Sequence, residues 1–87
     1  MLVAWQHSGG REVSRVATLG LGGLFIATPD PPPVGTVMKI VFDVPSGEVR
    51  ARAIVKNLEA GQGMAVAFID MEYADRARLD QLLKKLA

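Results

Sequence analysis

The 87-residue sequence contains no cysteine and a single histidine, His7. Without thiols there is no disulfide framework and no thiolate zinc site, and one imidazole leaves a zinc centre short of most of its ligands. No metal site is expected. Stability must come from an apolar core or from a partner. Net charge is equally scarce: ten Lys and Arg against nine Asp and Glu leave +1, too little for a field that draws a chain onto nucleic acid or anionic lipid. Aromatic residues are 6% of the chain, few for the stacking platforms of an oligonucleotide-binding barrel, so a small nucleic-acid-binding barrel is the weakest reading. No apolar run approaches the roughly 20 residues that span a bilayer. Residues 1–10 carry neither a basic flank nor an apolar stretch of export-signal length. These absences fit the cytoplasm. Asp43 and Glu48 flank a turn and could pair as carboxylates, but no nucleophile accompanies them, so no enzyme, catalytic residue or cofactor is expected.

What the sequence does have is 49% hydrophobic residues punctuated by nine glycines and five prolines, enough for one small domain over residues 1–87. Leu2–Gln6 reads as a first strand, and Ser8-Gly9-Gly10 turns it into a second at 11–18. The glycines of Leu19-Gly20-Leu21-Gly22-Gly23 predict a bulge or tight crossing before a third strand at 23–28. Pro29-Asp30-Pro31-Pro32-Pro33 ends that strand, because proline brings no amide donor. Period-two spacing of Met38, Ile40, Phe42 and Val44 predicts a strand at 36–44. Pro45-Ser46-Gly47 folds it onto another at 48–58. Residues 63–69 form a nearly continuous apolar run, expected to be a strand buried on both faces. The period then changes. Leu79, Leu82, Leu83 and Leu86 make one stripe on a helix at 72–86, with Asp70 as its cap and Lys84 and Lys85 near its C-terminus. A small antiparallel barrel covered by that helix follows.

Thr18-Leu19-Gly20-Leu21-Gly22-Gly23, followed by Leu24-Phe25-Ile26, resembles the PilZ domain, whose signature is Asp-x-Ser-x-x-Gly before a short apolar strand. Pro33-Val34-Gly35-Thr36, Ala53-Ile54-Val55-Lys56 and Gly63-Met64-Ala65-Val66-Ala67-Phe68 resemble later segments of the family in order and spacing, so the likeness covers nearly the whole chain from Val3. The resemblance implies a six-stranded antiparallel β-barrel closed by a C-terminal α-helix, and a receptor or effector for cyclic di-GMP, a bacterial second messenger. A guanine offers donors on one edge and acceptors on another, so its site wants a carboxylate or hydroxyl and arginine forks.

The sequence departs from that pattern at the ligand positions. Thr18 stands where the family has Asp and Gly20 where it has Ser, leaving Gly23 of the three. Arg11 and Arg15 have Arg-x-x-x-Arg spacing but lie inside the second strand, whereas the family's pair would fall upstream of Val3, where no residues are left to supply it. The reading is therefore a degenerate member acting through protein–protein contact or self-association in bacterial signalling or surface motility, with Trp5, Arg50, Arg52 and Ile54 as contact residues; Trp5, like Phe25, is otherwise a core residue. The alternative is cyclic di-GMP sensing through a rearranged site of Arg11, Arg15, Thr18, Gly20 and Gly23. Arg11 and Arg15 could equally be a solvated strand face, and so could the basic stripe of Arg50, Arg52 and Lys56 with Lys39 beside it. His7 is expected as a solvent-facing turn residue.

Overall fold

The computed structural model describes residues 1–86. Its elements are β1 (Leu2–His7), β2 (Gly10–Leu19), β3 (Gly23–Ala27), β4 (Val37–Val44), β5 (Gly47–Glu59), β6 (Gly63–Asp70) and α1 (Tyr73–Leu86). Ser8 and Gly9 form the turn that sets His7 opposite Gly10, and Pro45 and Ser46 the turn that sets Val44 opposite Gly47. Every neighbouring pair is antiparallel, and the order β1-β2-β3-β6-β5-β4 closes on itself through β1 and β4. The six-stranded barrel with one C-terminal helix is thus the fold that the sequence predicts.

Alternate residues of each strand point inward. Val3, Trp5, Leu24, Ile26, Met38, Ile40, Phe42, Val49, Val55, Met64 and Val66 fill the interior, and Leu79 of α1 joins them. Burying a side chain of that size contributes about 1.5–3 kcal/mol each, which ties the helix to the barrel. Three expectations change here. Strand β6 is not buried on both faces. Met64 and Val66 face in, but Ile69 is 47% exposed, because no second layer covers the outside of the closed sheet. Asp70 does not cap the helix: it is the last residue of β6, opposite Arg52, and the Arg76 N–H donates to the Glu72 carbonyl at 3.0 Å to close the first turn. Leu86, 70% exposed, lies beyond the part of the stripe that meets the barrel.

The irregularity of β2 falls within the strand, ahead of the glycines that predict it. The β2–β3 register shifts between Val16 and Thr18, so Ala17 is an extra residue and the alternation slips by one. Thr18, which strict alternation would turn inward with Val16, faces out opposite Phe25, and Leu19 packs inward opposite Leu24. The close crossing is at Gly23, where a Cβ would collide with the Val66 carbonyl oxygen, whereas Gly20 and Gly22 have room. Among the described residues no helix is long and apolar enough to cross a membrane.

Candidate functional site

The registers arrange the outward side chains of β2, β1, β4 and β5 in transverse rows. Arg11 stands opposite Gln6, Gln6 opposite Lys39, Lys39 opposite Arg52 and Arg52 opposite Asp70. At about 4.8 Å per strand, the backbones of Arg11 and Arg52 lie roughly 14 Å apart with Lys39 between them. The next row is Val13, Ala4, Val41 and Arg50. Beyond it Arg15 stands opposite Leu2, and Asp43 opposite Glu48. Val13, 63% exposed, makes the row beside the cationic one an apolar strip with Ala4 and Val41, and Leu2, 62% exposed, stands in the row beyond.

The cations differ in what they touch. Arg50 Nη2 pairs with Glu48 Oε1 at 2.9 Å, and its backbone N–H donates to Asp75 Oδ1 at 3.1 Å. The Glu48 hydrogen bond, and then its charge, push the Arg50 pKa up from its ordinary value. Arg78 pairs with Asp75 at 3.6 Å and Lys84 with Asp80 at 3.0 Å. Arg11, Arg15, Lys39, Arg52 and Lys56 form no ion pair among the described residues. Lys39 and Arg52 line two surface grooves at once: one of about 350 Å³ shared with Arg50, Met71, Glu72 and Asp75, and one of about 410 Å³ shared with Gln6 and His7. A third groove, also about 410 Å³, holds Arg11, Leu2, Ala4, Val13, Val41 and Arg50.

The structure brings together some of the residues singled out from sequence and separates others. Arg11 and Arg52, predicted for different roles, share one row. Arg15 faces the same way as Arg11, one apolar row away, and Thr18 faces out farther along β2, where its register neighbour is Phe25. Gly20 lies in the β2–β3 connection, donating its N–H to the Gly23 carbonyl at 2.9 Å, and Gly23 opens β3. Ile54 is half-buried, opposite Val37 and Ala67.

Trp5 is not a surface contact. It is 1% exposed, with its indole inside the barrel, because odd-numbered β1 residues face the core. Nor is His7 a solvent-facing turn residue: it ends β1, half-buried, its ring stacked on Trp5 at 5.4 Å, and its Nδ1 accepts the Gly9 N–H at 3.1 Å.

Lys39 does stand beside the basic stripe, as the sequence suggests, whereas Gln6, Leu2, Val13 and Val41 are not among the candidate residues. Part of the signal was available, since counting back from Pro45-Ser46 puts Lys39 opposite Arg52. The β1–β4 register that aligns Gln6 with Lys39 closes the barrel over a long sequence separation and leaves no local mark.

The family model of the PilZ domain matches residues 2–85. No curated protein matches the chain.

Proposed function

Because the chain belongs to the PilZ domain family, the family of cyclic di-GMP receptors, we propose that it is a degenerate member acting as a protein–protein interaction module in bacterial signalling or motility. The observation that carries this reading is a contrast on the outer face. Where the signature has Asp and Ser, Thr18 offers one hydroxyl opposite Phe25 and Gly20 offers no side chain, which is poor recognition for a guanine edge. Elsewhere on that face Leu2 and Val13 stand exposed beside Arg15 and Arg11, cations that form no ion pair among the described residues, as suits a contact surface.

A second reading has one observation in its favour. Arg11 and Arg15 project from the same face, without an ion pair among the described residues, at a Cα separation of about 13 Å, and could hold the phosphates of a cyclic dinucleotide in a rearranged site with Thr18. Calorimetric titration with cyclic di-GMP separates the two. The interaction module gives no saturable heat at micromolar ligand. Saturable binding that disappears in Arg11→Ala or Arg15→Ala overturns it in favour of the sensor.

A further inference from the structure

Lys39 and Arg52 face each other directly across β4 and β5, and Arg11 continues their row beyond Gln6. Like charges in directly opposed positions of a sheet work against folding. Asp70 stands across from Arg52 without forming an ion pair with it, and Asp43 and Glu48 share a groove with Val13, Ala4 and Val41, the second already held by Arg50. Asp70, Glu72 and Asp75 border the groove that Lys39 and Arg52 line, yet among the described residues no ion pair neutralises Arg11, Lys39 or Arg52, and Val13 stands exposed in the neighbouring row.

We propose that this outer face of β2, β1, β4 and β5 docks an acidic amphipathic helix of a partner protein. Its carboxylates lie along Arg11, Lys39 and Arg52, and its apolar side chains rest on Val13, Ala4 and Val41. The proposal rests on the interaction-module reading above and names the chemistry of the partner. Charge complementarity selects an acidic occupant. Closure of the barrel selects a helix over an added strand: β1 is bonded to β2 and β4 on its two sides, and β4 to β1 and β5, so the backbone has no edge to offer here. The dimensions agree. The row spacings of about 5 Å and about 10 Å match carboxylates three and then seven residues apart along a helix, which rises about 1.5 Å per residue. The apolar row lies about 7 Å from the cationic one, two residues along the strands, within the width of a single helix of about 10 Å diameter.

The test uses the isotope-labelled 87-residue protein and three synthetic peptides of about 14 residues, long enough to cover the row. One carries Glu and Leu on adjoining stripes, one replaces Glu by Lys, and one replaces Leu by Ser. The Glu/Leu peptide is expected to shift the amides of Arg11, Val13, Lys39 and Arg52 saturably. Its affinity should fall about tenfold in Arg52→Glu and in Val13→Ser, and fall again as salt rises. Both variants change outward side chains, and a retained amide spectrum shows that they fold. Equal binding of the Lys/Leu peptide, shifts on another face, or undiminished affinity in both variants overturns the proposal. So does a Glu/Ser peptide that binds as tightly, which would make the row a plain anion site. Concentration-dependent shifts on the same residues without peptide would assign the face to a second copy and overturn it as well. Cyclic di-GMP binding in the calorimeter defeats the interaction-module reading whatever the peptides do. Absence of both that binding and any peptide shift on the row defeats only the docking face.

Discussion

The indole Nε1–H of Trp5 donates to the hydroxyl of Ser14 at 2.9 Å, although the register places Trp5 opposite Glu12 and Ser14 opposite Val3. The bond therefore runs diagonally between β1 and β2 and satisfies the one polar atom that the buried Trp5 side chain carries into the core. Ser14→Ala leaves that N–H unpaired and is expected to cost about 1–3 kcal/mol, or a melting temperature lower by about 4–8 °C per kcal/mol in a domain of this size. Ser14→Thr keeps the acceptor and most of the stability. Thermal melts followed by fluorescence of the single tryptophan measure both.

At the other end of the scale are residues whose removal should help folding. Lys39→Glu converts the opposed Lys39–Arg52 pair into opposite charges, and is expected to stabilise the barrel by about 0.2–1 kcal/mol. The gain should shrink at high salt, where the original repulsion is already screened. Chemical denaturation at low and high salt measures it, and a loss of stability in low salt would show that the two cations do not oppose each other.

Asp75 joins two elements. Strand β6 ends at Asp70, opposite Arg52, and the next outward amide of β5, that of Arg50, is taken by the Asp75 carboxylate of α1, which also pairs with Arg78. Asp75→Ala is expected to cost about 1–2 kcal/mol and to speed hydrogen exchange at the Arg50 amide, while Asp75→Asn retains an acceptor and loses less.

Glycines of the β2–β3 segment should separate by position. Gly23→Ala drives a methyl into the Val66 carbonyl and is expected to cost roughly 1–3 kcal/mol or prevent folding. Gly20→Ser meets only the Gly23 carbonyl oxygen, at an ordinary 3.9 Å, and Thr18→Asp is exposed, so the double variant that carries Asp-x-Ser-x-x-Gly should fold with stability within about 0.5 kcal/mol of the parent. On the degenerate reading, cyclic di-GMP releases or absorbs more heat with the double variant than with the parent. Saturable binding by the parent as tight as by the double variant would refute that reading.

The sequence made the interior legible because Met38, Ile40, Phe42 and Val44 alternate without interruption, and two-residue turns fixed the registers of the hairpins around them. It concealed what depends on distant pairing. Trp5 read as core or surface until its strand parity was known, and Gln6 met Lys39 only when β1 closed on β4. The bulge at Ala17 was invisible because alanine fits either side of a sheet, and the neighbouring glycines drew the expectation downstream. Asp70 looked like a helix cap because nothing local says whether a strand ends before or after it.

Closure of the barrel has a consequence for how such a protein changes over time. Every strand divides its residues between a packed inner set and an outer set that the fold hardly constrains. Thr18, Gly20, Lys39 and Arg52 all belong to surface that can be rewritten one residue at a time with little penalty to the interior. A ligand can therefore be abandoned and a new surface acquired on a scaffold that stays folded throughout. Recognition and stability are carried by alternate letters of the same strands.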